Sequence, residues 1–161
     1  MMTRIPLILL AAVFFCARSG YAPAQQPAAM PSGCTLLIHV DGFRNLAGNL
    51  GTVLFTAPDG WPEDLSKAFR HGPAPIDPAT RTAMAEWTGL PPGDYGVAAI
   101  HDENGNHKLD RNFFGVPKEG FGFANNPHVG LSAPAFHEAL VHLACPAPGA
   151  KTEITIHLIY K

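Results

Sequence analysis

The sequence predicts an all-β, antiparallel β-sandwich, and three observations lead there. Short apolar runs alternate with polar positions at period two, as in half-buried strands. Between them stand turn-forming clusters such as Asp41-Gly42, Pro58-Asp59-Gly60 and Pro91-Pro92-Gly93. After the amino-terminal stretch, no segment sustains the apolar spacing of an amphipathic helix.

In chain order, Cys34 to Val40 (CTLLIHV) is a β-rich run ended by Asp41-Gly42, and Gly51 to Thr56 (GTVLFT) is a second strand. From Trp61 to Pro78 there are five prolines or glycines around a Leu65–Phe69 helical turn. His71-Gly-Pro-Ala-Pro75 reads as irregular. Arg81 to Leu90 is the third strand, with Met84 and Trp87 as buried candidates. Gly96 to His101 is apolar on both faces and therefore central. Ala135 to Cys145 alternates as a strand, with a helix from Pro134 to Leu143 as the competing reading because Ala, Glu and Leu favour it. Thr152 to Tyr160 alternates most cleanly, Ile154, Ile156, Leu158 and Tyr160 against Glu153, Thr155 and His157. About six strands result.

The ends bound the compartment. Arg4 precedes an apolar stretch from Ile5 to Ala17, and Ala22-Pro23-Ala24 offers small residues for cleavage. Residues 1–24 are thus expected to be a secretory signal, 25–33 a disordered lead-in and 34–161 the domain. The apolar run is shorter than the roughly 20 residues a membrane span needs, so the mature chain is expected to carry no span. It would keep nine Lys and Arg against 13 Asp and Glu, an overall acidity that gives no footprint for nucleic acid or an anionic membrane. Only Cys34 and Cys145 remain, an even pair that reads as one disulfide in a periplasmic or secreted protein.

Residues His101 to Asn126 carry the chemistry. Asp102, Asn104, Asn106 and Asp110 follow the D-x-N-x-N-x-x-x-D spacing by which a tight loop wraps Ca²⁺, with the Lys108 carbonyl as a further ligand and Glu119 able to fold back. Two positions depart from that pattern: His107 stands where a glycine is expected, and Phe113 where a bidentate glutamate is. The competing reading is a loop whose Asx side chains cap their own backbone N–H groups without metal. Under the calcium reading, Asp102→Ala is expected to leave the metal-free stability almost unchanged. Phe113, Phe114, Phe121 and Phe123, interleaved with glycines, form a ligand-binding surface for carbohydrate, peptide or a protein surface if exposed, or a lid over the sandwich if not.

The turn Leu90-Pro-Pro-Gly-Asp-Tyr95 is expected to join two adjacent antiparallel strands, with the tyrosine ring folded back on it. It resembles the device of transthyretin-like and carboxypeptidase-regulatory sandwiches and the tyrosine corner of immunoglobulin-like domains. PPGDYGVAAIHDENGN from Pro91, then Leu109-Asp110, then FGVPKEGFGFANN from Phe114 to Asn126, resemble the DUF2141 family of exported bacterial proteins. The likeness extends from about Cys34 to Tyr160. It implies a small exported β-sandwich with no assigned catalytic residues.

Catalytic signatures are missing: no G-x-S-x-G, no P-loop and no H-E-x-x-H occurs. The eight histidines form no H-x-H or H-x-x-x-H pair, so a transition-metal site would need ligands from distant segments. The expectation is an exported, non-catalytic module that binds through the 102–126 loop. The alternative is a small periplasmic enzyme or transition-metal carrier using scattered His and acidic residues.

Overall fold

Alternation decides which side of each strand faces inward, and the interior follows from it. The structure, a computed structural model describing residues 33–130 and 132–161, has nine strands: β1 (Cys34–Asp41), β2 (Asn49–Phe55), β3 (Arg70–Ala74), β4 (Ile76–Asp77), β5 (Thr82–Leu90), β6 (Gly93–Asp102), β7 (Phe121–Phe123), β8 (Leu140–Leu143) and β9 (Lys151–His157). The expected signal and nearly all of the expected lead-in lie outside the described residues. One sheet runs β4-β5-β1-β9 and the other β3-β2-β6-β7, with β8 also on β6. Leu36, Ile38 and Val40 of β1, Leu50 and Leu54 of β2, Val97 of β6 and Ile156 of β9 meet between the sheets. Each contributes about 1.5–3 kcal/mol through its buried apolar surface.

The sandwich is all-β, as the alternation predicts, but several details differ. β9 pairs with β1 in parallel, Ile38 opposite Ile154 and Val40 opposite Ile156; alternation sets a strand's faces, not its direction. The sheet is therefore not purely antiparallel. His71 to Ala74 is strand, not irregular: Pro73 is tolerated because β3 is an edge pairing only with β2. Leu65 to Phe69 makes turns and no helix. Met84 is 52% exposed, because Ala83 and Ala85 take the inward positions of β5. The 135–145 segment divides between its two readings, a 3-10 helix at Phe136–Ala139 followed by β8.

β6 is central as expected. β2 lies along one edge, and β7 and β8 share the other in tandem. The Leu90–Tyr95 turn carries the chain from β5 in one sheet to β6 in the other, so it does not join adjacent partners. Tyr95 is buried and its hydroxyl donates to the Pro91 carbonyl at 2.8 Å, bracing that crossing. A disulfide joins Cys34 at the start of β1 to Cys145 just after β8. It ties the two sheets together.

Candidate functional site: a cleft and the loop that walls it

The outward side of β6 makes the five-stranded sheet apolar on both faces. Val53 and Phe55 of β2, Ala98 of β6, and Phe121 and Phe123 of β7 form a second core there with Val129 and Ala139. Loops cover it in part. Trp61 packs edge-on against Phe55 and Phe136 with centroids 5.6 and 5.5 Å apart, and its indole N–H donates to the Pro134 carbonyl at 3.1 Å. Beside this aromatic seal an open cleft of about 1130 Å³ remains. Its floor is Gly51, Val53, Ala98, Ile100, Phe121 and Phe123. Its walls are the 62–66 turns, the 106–111 part of the loop, and Val129, Gly130, Ser132 and Ala133.

Phe121 and Phe123 are therefore buried, so of the two readings of the four phenylalanines the exposed platform fails for this pair. Gly120 and Gly122, on either side of Phe121, serve packing. A Cβ at Gly122 would sit 2.5 Å from Ile156 Cγ2, and one at Gly120 would sit 2.4 Å from the Tyr160 ring. The strand must be bare on its inner side to lie against β9.

The loop leaves β6 at Asp102, which is 1% exposed. One Asp102 carboxylate oxygen accepts the N–H groups of Gly105 and Asn106 at 2.8 and 3.0 Å, and the other accepts that of His107 at 2.8 Å. Asn104 Oδ1 accepts from the Asn106 N–H, and Asn106 Oδ1 from the Lys108 N–H. The two amide groups then donate to opposite oxygens of Asp110, at 2.7 and 3.0 Å. Glu119 folds back onto the loop, where its buried carboxylate accepts from the Glu103 and Asp110 N–H groups, clamping both ends of the loop. The predicted side chains thus gather in one loop whose polar groups satisfy one another. Among the described residues no three His, Cys, Asp or Glu side chains group as a metal site. His107 adopts φ 61° at the position where a glycine was expected, so the backbone takes the left-handed turn even without one.

A buried network beneath the loop was not legible in the sequence. His101 is fully enclosed; its Nε2–H donates to the Ala47 carbonyl and its Nδ1 accepts from the Tyr160 hydroxyl, both at 2.8 Å. That hydroxyl accepts the Arg44 N–H at 3.1 Å. The Arg44 guanidinium lies over the Tyr160 ring, donates to the Lys118 carbonyl and pairs with Glu103 at 2.6 Å. Tyr160 and Arg44 lie far from the loop in sequence and carry no motif that would link them to it.

Beyond Asp110 the chain makes a hairpin finger, with Arg111 bridged to Pro117. Phe113 and Phe114 project from its tip, 97% and 85% exposed, stacked edge-on at 5.5 Å. The other histidines are dispersed: His142 meets Asp94, His157 meets Asp41, and His39 faces Glu153. No helix among the described residues is long and apolar enough to cross a membrane.

A family model described as an uncharacterized protein conserved in bacteria, DUF2141, matches residues 38–148. No curated protein and no solved structure matches the chain.

Proposed function

The chain belongs to the DUF2141 family, and from that premise we propose that it is an exported, non-catalytic binding module whose ligand is a small apolar molecule held in the cleft on the outer face of the five-stranded sheet. The observation that carries this reading is the cleft itself: about 1130 Å³, floored by Val53, Ala98, Ile100, Phe121 and Phe123 and walled by the 102–126 loop. Sites for small molecules are concave, mostly apolar and largely preformed. Export is supported by the apolar Ile5–Ala17 stretch and the Cys34–Cys145 disulfide.

Calcium enters this reading as a brace for the wall. Turning over the Asn104 and Asn106 amides would present oxygens to Asp110 where their nitrogens now lie at 2.7 and 3.0 Å. Millimolar Ca²⁺ would then raise the melting temperature of wild type and not of Asp110→Asn. Coincident wild-type melts in Ca²⁺ and chelator would leave the loop self-capped and the cleft reading intact.

The cleft is tested with phenylnaphthylamine, a neutral fluorophore that brightens in apolar surroundings. Wild type is expected to bind it saturably. Ala98→Trp, which fills the floor, is expected to lose it while still melting cooperatively. No binding by wild type, or equal binding by a folded Ala98→Trp, would overturn the reading.

A further inference from the structure

The finger from Lys108 to Lys118 has no part in forming the cleft floor, yet it holds the most exposed apolar side chains described. Phe113 and Phe114 are almost wholly in solvent, and Val116 beside them is 38% exposed. They are held there by a rigid turn. Asn112 Oδ1 accepts the Phe114 and Val116 N–H groups at 2.9 and 3.0 Å, the Gly115 N–H donates to the Asn112 carbonyl, and the Asn112 N–H donates to that of Val116. Arg111 donates to the Gly115 carbonyl, and the Lys118 N–H to that of Asp110.

We propose that this finger is a lipid-surface anchor, which dips Phe113, Phe114 and Val116 into the interface of an anionic bilayer. Three features favour lipid over other partners. Most of the tip's N–H groups are satisfied within the turn: those of Asn112, Phe114, Gly115, Val116 and Lys118 have partners there, and that of Phe113 does not. A segment entering an apolar medium needs that, because an unpaired backbone group is costly there. The apolar tip is also flanked in sequence by Lys108, Arg111 and Lys118, with Asp110 the one acid among residues 108–118, and of these cations Arg111 pairs with Glu63. Lys108 and Lys118 form no ion pair among the described residues, so both ammonium groups are available to lipid phosphates. Aromatic tips with Lys and Arg beside them are what interfacial binders present. The chain's overall negative charge does not oppose this, because charges beyond a Debye length of about 8 Å are screened at physiological ionic strength. The anchor needs no ligand in the cleft, although Lys108 also belongs to the cleft wall. Since Arg111 and Pro117 also line the cleft, docking would bring its mouth to the lipid surface, where apolar molecules collect.

The test is co-sedimentation of the mature protein with vesicles of phosphatidylcholine alone and of phosphatidylcholine mixed with phosphatidylglycerol. Wild type is expected to partition onto the anionic vesicles, and less onto the neutral ones. Phe113→Ser with Phe114→Ser is expected to weaken that partition at least about tenfold, and Lys108→Glu with Lys118→Glu to remove the preference for anionic lipid. All four positions are exposed, and unchanged melting curves would verify that folding is intact. Failure of wild type to bind either vesicle, or equal binding by the double serine variant, would overturn the proposal. So would sedimentation velocity in lipid-free buffer showing a dimer that the double serine variant abolishes, since a second copy would then cover the finger.

Discussion

Asp102 illustrates how one carboxylate can organise a loop. Its two oxygens take three backbone N–H groups while the side chain is almost fully buried. Hydrogen bonds to a charged acceptor contribute about 1.5–3 kcal/mol, more than neutral ones. Asp102→Ala should therefore lower unfolding free energy by about 2–4 kcal/mol, measured by urea denaturation with chelator present. The expectation from spacing alone, that this change spares the metal-free protein, does not survive the observed caps. Two tyrosines give a second consequence at this scale. Burial raises the Tyr95 hydroxyl above its ordinary value of 10.0. Burial also raises Tyr160, with Glu103 adding to it and the Arg44 N–H and the Arg44 and Arg81 charges opposing. Unfolded tyrosines release their protons first as pH rises, while the folded chain still holds both. Their contribution is complete below about pH 10 and is lost as pH climbs through the folded values. Melting temperature should fall above pH 10, and Tyr95→Phe should flatten that fall. An identical alkaline profile for the phenylalanine variant would remove Tyr95 as a cause.

Among elements, β7 is the one whose role was hardest to foresee. Its Phe-Gly-Phe sequence spans three residues and presents no alternation long enough to identify a strand. The phenylalanines line the cleft while Gly122 faces Ile156. Gly122→Val would place its Cβ 2.5 Å from Ile156 Cγ2 and 2.9 Å from the His157 carbonyl. Overpacking of this kind costs about 1–3 kcal/mol; differential scanning calorimetry should register it, and an unchanged transition would mean that β7 can shift aside. The longer strands were legible because a half-buried strand must alternate. β1, β2, β5 and β6 stand within a few residues of where the pattern puts them. β3 was hidden by Pro73, since proline argues against strand everywhere except at an edge, and edge position is a property of the assembled sheet. The site divides likewise. The spacing of Asp102, Asn104, Asn106 and Asp110 identified one loop, but whether their oxygens turn to a cation or to backbone N–H groups depends on rotamers, not spacing. The cleft depends on the 62–66 turns and on Val129, Gly130, Ser132 and Ala133 converging over β6, and no local pattern encodes that.

For the whole molecule, the Cys34–Cys145 bond joins positions separated by 111 residues. It links the first strand of one sheet to the end of the last strand added to the other. Counting pointed to it over the alternative of two inert buried thiols: with Cys16 in the expected leader, two cysteines remain, and an even pair in an exported chain reads as a disulfide. A covalent closure of this span restricts the unfolded chain far more than the folded one, where the two Cα atoms stand 5.1 Å apart in any case. Loop-closure entropy for about 100 residues amounts to roughly 4.7 kcal/mol, and losing such a bridge typically costs 2–5 kcal/mol. Cys145→Ser should accordingly lower the denaturation midpoint with a stability loss of about 2–5 kcal/mol. The denaturant slope should rise, because the freed unfolded chain exposes more surface. Adding reductant should move wild type toward the variant and leave the variant unchanged. Both thiols titrating freely in protein prepared without reductant would mean that the bond does not form, and that the two sheets are held by packing alone.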